Sequence, residues 1–297
     1  MTLKILCSWW LLLGFYAAQS QSCCAMATCG SSSILPAWNR QLAGVRYSFR
    51  EFHIPYEKEG DYSGTKYTGR YQLHTTELFA RFNLSGRHYL SASLPYSVLH
   101  SSVKAQLSSG IGDPVLLYQY QLVRPRRNSF QKWRNDLRLG AGLKFPLGKF
   151  DRSNDQAIQF GTGSLDFLFN AFYAGRAEHI GLLLSASYKA NTFNADRVKL
   201  GNKFQAGASV FYEFRIGAVK ILPVAGWYFE KVFFTKVQNK WKTYTGSQTF
   251  SADAGFDLAW KRIAFSCRFQ PVIYNTVNHY TVPKSVFTFE TGMYYTF

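Results

Sequence analysis

The sequence predicts an all-β protein, a transmembrane antiparallel up-and-down β-barrel of about 12 strands. Apolar and polar residues alternate with a period of two in one segment after another, which is typical of strands with one apolar and one polar face. Aromatic residues make up 18% of the 297 residues, including 26 Phe and 19 Tyr. Short and long connections also alternate along the chain, as periplasmic turns and external loops do in outer-membrane barrels.

Residues 1–20 have the features of a secretory signal peptide. Lys4 precedes an apolar run over 5–18, and small residues follow at Ala18 and Ser20. The run is too short and too poorly flanked to be a membrane helix, so we predict cleavage after Ser20 or Ser22. No later apolar run approaches the ~18 residues that a membrane helix needs, so membrane-spanning segments of the mature chain must be strands.

Residues 21–40 form a Cys-rich segment, which we expect to act as a partial plug of the barrel. A disulfide between Cys24 and Cys29 is the favoured interpretation in an oxidising periplasm. A soft metal site on these cysteines and Cys23, for Cu(I), is the alternative, and we predict no metal. Acylation of Cys23 is a further alternative, which Ser20 disfavours because lipoprotein signals usually carry Leu at that position.

The barrel is predicted to occupy 41–297. Its twelve alternating segments, in order, are 43–50, 77–84, 90–96, 116–122, 137–147, 165–173, 180–188, 204–215, 221–229, 250–258, 263–269 and 286–297. In the last segment Phe287, Phe289, Met293 and Tyr295 share one face. A closing strand that ends on an aromatic residue resembles the end of outer-membrane barrels, so we expect the barrel-assembly machinery to recognise Phe297.

The connectors favour a barrel over a secreted β-sandwich, which would also show alternating strands. Short turns are predicted at 85–87, 175–177, 216–218 and 260–262. Longer polar stretches lie at 52–67, 99–110, 148–158, 191–203, 231–247 and 275–284. A sandwich has no reason to alternate its connector lengths in this way. The exception is 124–134, which is long where a short turn is expected.

The chain is strongly basic, with 34 Lys and Arg against 17 Asp and Glu and a formal charge of +17. The basic residues are spread over strands and connectors instead of being clustered on one helix, and an exported protein does not meet nucleic acid. We therefore expect no nucleic-acid partner. The phosphates of lipopolysaccharide and other outer-membrane lipids are the anionic partners that fit an exported barrel.

The polar faces of the strands carry charges of both signs, which are the candidate residues that line the lumen. They are Arg46, Arg50, Glu77, Arg81, Asp113, Arg138, Lys144, Asp166, Lys189, Glu213, Arg215, Glu230, Asp253, Asp257, Arg268 and Glu290. One interpretation is a paired network that fills a narrow lumen, because buried charges need partners. The other is a selective lining for a passing solute.

No catalytic constellation is predicted. His100 and Ser102 invite comparison with barrel phospholipases, but no third member of a catalytic set is identifiable. Phosphate loops, zinc-ligand spacings and nucleotide fingerprints are absent from the sequence, so we expect neither an enzyme nor a cofactor.

Three motifs carry a family resemblance: 110–114 (GIGDP), 139–150 (LGAGLKFPLGKF) and 161–167 (GTGSLDF). In this order and spacing they resemble outer-membrane transporters of the phenol-degradation MetA-pathway family, closest to versions from Bacteroidota. We expect their glycines to allow bends or to leave space inside the barrel, and Asp113 and Asp166 to face inward and pair with Arg138 or Lys144.

The resemblance implies a channel or transporter for small molecules, including hydrophobic or aromatic compounds. The family is distantly similar to FadL-type channels, which import such compounds and carry an amino-terminal plug. This chain departs from that pattern, because it has about twelve strands instead of fourteen and a short plug segment. A non-conducting structural or adhesive barrel is the alternative function, followed by a barrel enzyme that acts on lipid.

Overall fold

The structure is a computed structural model of the 297-residue chain. It describes residues 41–57, 66–102, 106–124, 133–148, 160–243, 245–277 and 284–297. The predicted signal peptide, the Cys-rich segment 21–40 and the proposed Cys24–Cys29 disulfide lie outside the described residues.

Seventeen strands make up the described residues' regular structure. Their bounds are β1 Leu42–Glu57, β2 Lys66–Ser85, β3 His88–Ser101, β4 Gln106–Ile111, β5 Val115–Val123, β6 Trp133–Lys144, β7 Asp166–Ala177, β8 Ile180–Ala190, β9 Val198–Lys199, β10 Lys203–Tyr212, β11 Phe214–Ile216, β12 Val219–Val232, β13 Thr235–Val237, β14 Lys240–Lys242, β15 Ser247–Trp260, β16 Ile263–Val277 and β17 Lys284–Thr296.

The strands close into an antiparallel barrel in which sequence neighbours pair with each other. The ring runs β1–β2–β3–β5–β6–β7–β8–β10–β12–β15–β16–β17 and returns to β1. At the seam Leu42 lies opposite Thr296, and the register continues to His53 opposite Lys284 with one irregularity at Glu51/Phe52. Closure leaves no free sheet edge, which is what a strand protein needs inside a bilayer. The predicted twelve-stranded barrel is therefore confirmed.

Two of the barrel strands are interrupted. β4 pairs with the far end of β3, and β5 pairs with its near end, so Gly112, Asp113 and Pro114 break one continuous strand. Both β10 and β11 pair with β12, with Glu213 at the break. A separate three-stranded sheet of β9, β13 and β14 lies in the connections after β8 and β12.

Tight two-residue turns mark one end of the barrel, which we call the turn side. The first turn residue has a positive φ at Gly86 (50°), Glu178 (49°), Gly217 (58°) and Lys261 (51°). Left-handed backbone at this position matches the twist of paired strands. The turn predicted at 175–177 is wrong by two residues, because β7 continues to Ala177 and the turn is carried by Glu178 and His179. The opposite end is called the loop side.

Large apolar side chains cover the outer surface of the barrel. Leu78 is 57% exposed, Phe169 is 50% exposed and Met293 is 61% exposed, although all three belong to well-paired strands. Exposed aromatic residues lie toward both ends, namely Tyr212, Phe214, Trp260 and Tyr295 on the turn side and Phe167, Phe233 and Tyr274 on the loop side. An outward apolar band with aromatic ends is the surface that a bilayer solvates.

No helix among the described residues is long and apolar enough to span a membrane.

Several stretches predicted as polar loops are strands that extend the barrel on the loop side. β1 and β2 continue pairing as far as Glu57 opposite Lys66, and β3 and β4 pair from Tyr96–Ile111 to Ser101–Gln106. A strand that extends beyond the bilayer does not need an apolar face. The apolar residues of these stretches, such as Phe52, Ile54 and Leu99, face the interior, so the alternation on which the sequence prediction depended does not continue in the same phase.

The barrel interior also contains apolar side chains, which the alternation of the strands did not predict. Toward the turn side a buried cluster is formed by Leu42, Ala174, Leu183, Phe211, Leu222, Val224, Ala264 and Tyr294. Toward the loop side a second cluster is formed by Phe52, Ile54, Leu73, Leu99 and Phe160. The interior is thus amphipathic, with apolar layers next to charged ones.

Candidate functional site

The three sequence motifs meet in one buried cluster on the loop side. Lys144 Nζ lies 2.5 Å from Asp113 Oδ2 and 2.7 Å from Asp166 Oδ2. The backbone N–H of Thr162 donates to Asp113 at 2.8 Å, and Ser164 Oγ donates to Asp166 at 2.8 Å. All five side chains are at least 95% buried. The cluster therefore ties β5, β6 and β7 to the connection between β6 and β7.

Two motif glycines are required by the close approach of this connection. A Cβ on Gly161 would lie 2.8 Å from the carbonyl carbon of Gly148, and a Cβ on Gly148 would lie 2.8 Å from the Asp113 nitrogen. The Gly148 N–H donates to Asp113 Oδ1 at 2.9 Å, so the two chains must touch for this bond to form. The glycines here allow backbone contact; they do not widen the lumen.

The same correction applies to the inward glycines of β6. A Cβ on Gly140 would lie 2.2 Å from Asn170 Oδ1, and a Cβ on Gly142 would lie 2.9 Å from a Leu117 methyl group. Neighbouring side chains fill the space that these glycines leave. The predicted empty space is therefore occupied along this part of the wall.

Two ion pairs cross between strands in the middle of the barrel. Arg46 Nη2 lies 2.8 Å from Glu77 Oε2, and Arg268 Nη1 lies 3.0 Å from Asp257 Oδ1. All four side chains are buried, and Arg268 also lies opposite Glu290 in the register of β16 and β17. Charges that are this deeply enclosed persist only when they are paired.

A second polar layer lies nearer the loop side, around Glu230 and Asp253. Glu230 Oε2 lies 2.8 Å from Lys203 Nζ and accepts from Gln205 Nε2 at 3.0 Å. Asp253 accepts from Ser209 Oγ at 3.1 Å and from Gln270 Nε2 at 3.2 Å. Glu230 is thus held by the adjacent strand β10 and Asp253 by the adjacent strand β16, while the Ser209 bond reaches Asp253 past the intervening strand β12.

Toward the turn side Asp136 holds a bidentate contact with Arg138. The guanidinium donates through Nη2 at 2.6 Å and Nε at 3.1 Å, and Gln121 Nε2 donates to the same carboxylate at 2.8 Å. The Arg138 guanidinium also lies 4.6 Å from the centre of the Tyr89 ring. Arg138 therefore pairs with Asp136, and of the two cations predicted as partners of Asp113 and Asp166 the structure places Lys144 beside both.

The predicted lumen-lining residues are placed as follows. Fourteen are buried, namely Arg46, Glu77, Arg81, Asp113, Arg138, Lys144, Asp166, Lys189, Glu213, Glu230, Asp253, Asp257, Arg268 and Glu290. Arg50 is half-buried, and the side chain of Arg215 is 56% exposed at the turn-side opening. Their function as the lining of a passage stays a prediction.

Sequence reasoning missed several members of the network. They are Glu51, Asp136, Arg176, Lys203 and Gln205. Each lies at or near the end of an alternating segment, where few apolar residues mark the opposite face of the strand. Extending the alternation by one residue at the start of the segments 137–147 and 204–215 would have found Asp136 and Lys203.

The comparison of His100 and Ser102 with barrel phospholipases gains no support from the geometry. Ser102 Oγ accepts a hydrogen bond from the Arg70 N–H at 2.9 Å, and His100 is an exposed residue of β3. In the part of the chain that the structure describes, no histidine is bonded to that hydroxyl. The serine is thus used to hold the ends of β2 and β3 together.

No protein-family model matches the sequence, and no curated protein matches it. Solved structures match the fold. An outer membrane channel from Pseudomonas putida F1 superposes with a TM-score of 0.64 at 15% identity, over 92% of this chain and 100% of that chain. The beta domain of the Bordetella autotransporter BrkA gives 0.48 at 12% identity, and LpxR from Salmonella typhimurium gives 0.38 at 9% identity. Each of these two alignments covers 86% of this chain and 100% of the other.

The superposition on the channel, at this low identity, shows the fold. It agrees with what the residues show independently: a closed ring of twelve strands, an outward apolar band and an enclosed polar interior. The chain is therefore an outer-membrane β-barrel with the fold of a channel.

Proposed function

We propose that this barrel is an outer-membrane channel for small molecules, whose interior is lined at mid-height by ion pairs between adjacent strands. The observation that carries the proposal is the enclosed charge in the middle of the barrel. Arg46 with Glu77 and Arg268 with Asp257 are buried pairs, and Glu290 lies beside the second pair.

A purely structural barrel has little reason to carry such a layer. Eight strands give an interior that side chains just fill, and twelve enclose a wider one. Apolar side chains of the same volume would fill that space with equal or greater stability, because burying an ion pair costs desolvation that its attraction barely repays. Paired charges, in contrast, can separate and be hydrated, so they suit a passage that opens.

The amphipathic interior supports apolar or aromatic compounds as the solute class. Leu183, Phe211 and Leu222 belong to an apolar layer on the turn side of the charged layer. A solute with an aromatic body and a polar group would find partners in both layers. This class also agrees with the resemblance of the three motifs to the MetA-pathway transporters, and the proposal includes no catalytic step.

A non-conducting structural barrel is the second candidate, and one observation favours it. The loop-side cluster of Asp113, Lys144 and Asp166 is almost fully buried and fastens the β6–β7 connection to the barrel. A connection that is fixed in this way could serve as a rigid external surface. The two functions differ in whether the middle layer ever opens.

Single-channel recording of the refolded protein in a planar bilayer distinguishes these functions. We expect discrete openings in potassium chloride, and faster liposome swelling with phenol-sized aromatic solutes than with sugars of equal size. Folding is checked by heat-modifiable migration on gels. A correctly folded barrel that stays silent and admits neither solute class would contradict the channel and support the structural role.

A further inference from the structure

The turn-side opening contains a cavity whose lining is strongly cationic. The cavity has a volume of about 490 Å³, and six of the described residues that line it are cationic: Arg124, Arg134, Arg138, Arg176, Arg215 and Lys220. One lining residue, Asp136, is a carboxylate. We call this cavity the turn-side vestibule. A neighbouring cavity of about 320 Å³ shares two of the cations and adds Lys261 and Glu213.

The carboxylates of the vestibule are already engaged by three of its arginines. Asp136 binds Arg138 through both oxygens. Glu213 pairs with Arg176 and also accepts from Arg215 Nε at 2.6 Å. The remaining cations are therefore not neutralised by the acids beside them, and the vestibule keeps a net positive charge.

Among the remaining cations, two have no ion-pair partner in the described part of the chain, namely Arg134 and Lys220. Arg124 donates to neutral acceptors, the Gly86 carbonyl at 2.5 Å and Gln121 Oε1 at 3.3 Å. Lys261 Nζ lies 5.3 Å from the centre of the Trp260 ring, which is also an uncharged partner. Three positive charges of the vestibule, on Arg124, Arg134 and Lys220, are thus available to an incoming ligand, and Lys261 adds a fourth in the neighbouring cavity.

Two pairs of like charges lie directly opposite each other on adjacent strands. Arg134 of β6 faces Arg176 of β7, and Arg215 of β11 faces Lys220 of β12. Like charges in directly opposed positions destabilise a sheet, and all four residues line the same cavity. An anion held between them would convert this repulsion into attraction.

We propose that the turn-side vestibule is a binding site for a soluble polyvalent oxyanion, a small molecule that carries several phosphate or carboxylate groups. Guanidinium groups bind such oxyanions through two parallel hydrogen bonds, which matches the predominance of arginine. The residues that line the vestibule lie inside the turn-side opening, whereas lipid contacts the outer wall of the barrel. The ligand is therefore a soluble molecule. Leu222 and Ala264 belong to the turn-side apolar cluster and also border the neighbouring cavity. The apolar cluster therefore lies between the vestibule and the ion pairs in the middle of the barrel.

Isothermal titration calorimetry with pyrophosphate tests the proposal on the full refolded chain in neutral detergent. We expect the double variant R134Q/K220Q to lose affinity by at least about tenfold, the equivalent of one charge-assisted contact. The matched control K240Q/K284Q removes the same charge on the loop side and should bind within about twofold of wild type. R134K/K220R keeps both charges and should retain more affinity than R134Q/K220Q.

Equal loss in both double variants would show that binding follows net charge alone and would overturn the site. Wild-type affinity in R134Q/K220Q would overturn it as well. Phosphatidylglycerol added to the micelles should not displace pyrophosphate, and full displacement would overturn the assignment to a soluble ligand. Binding does not require an open lumen, so a barrel that never conducts can still pass this test.

Discussion

Lys144 Nζ lies 2.5 Å from Asp113 Oδ2, although 31 residues separate the two in the sequence. The same ammonium group reaches Asp166 at 2.7 Å, so one buried cation joins the three motifs that carry the family resemblance. Breaking a buried pair leaves an uncompensated charge, which costs far more than an exposed pair contributes. The cluster is therefore a structural fastening of the loop side.

We expect D166N to lower the free energy of unfolding by about 3–5 kcal/mol, because Lys144 loses one of its two buried carboxylates. Reversible urea titration of the protein in phospholipid vesicles measures this loss. E178Q, which removes an exposed carboxylate in a turn, should change the free energy of unfolding by less than about 0.5 kcal/mol. Wild-type stability of D166N together with altered permeation would mean that the residue serves transport instead.

Gly161 should not tolerate a methyl group. A Cβ there would lie 2.8 Å from two backbone atoms of Gly148, so the β6–β7 connection must shift. We expect G161A to lower the free energy of unfolding by about 1–3 kcal/mol, as overpacking of a tight contact does. In G207A the nearest atom is a side-chain oxygen, Ser185 Oγ at 3.2 Å, so a smaller loss is expected in the same titration. Equal losses would show that contact distance is not the cause.

The apolar outer surface predicts that a charged substitution costs more folding free energy the deeper it lies in the bilayer. Leu184 lies in the middle of β8 and Ile180 at its turn-side end, and both side chains are exposed. We expect L184K to cost about 2–4 kcal/mol of folding free energy in bilayers and I180K about 0–1 kcal/mol. Unfolding titrations in vesicles compare the two. If the variants cost the same, the apolar band does not lie in the hydrocarbon core as described.

The fold was predictable because alternation is a local property of each membrane strand. Segments such as 137–147 and 263–269 show one apolar and one polar face, and the structure pairs them in sequence order. Alternation fails beyond the bilayer, where β1 and β2 extend to Glu57 and Lys66. Phe52 and Ile54 there face the interior instead of the lipid, so the apolar residues no longer continue the pattern of the membrane segment.

The interior was predictable in composition but not in pairing. Register decides which charges meet, and it depends on strand tilt and on interruptions such as the one at Asp113. For this reason Arg138 pairs with Asp136 two residues away, while Lys144 reaches Asp113, two residues from its register partner Val115 on the adjacent strand. The apolar layer around Leu222 was missed because an apolar residue at an inward position cannot be distinguished, in the sequence, from a break in the alternation.

Ion selectivity of the open channel tests the central claim that charged pairs in the middle of the barrel line a passage. Reversal potentials are measured under a potassium chloride gradient for E77Q/D257N and for R46Q/R268Q. The controls E178Q and R197Q each remove one exposed charge outside the barrel interior. If the claim holds, the first double variant shifts the reversal potential toward chloride, the second shifts it toward potassium, and the controls leave it unchanged. Folded variants that stay silent, or that conduct with the wild-type reversal potential, would contradict the claim.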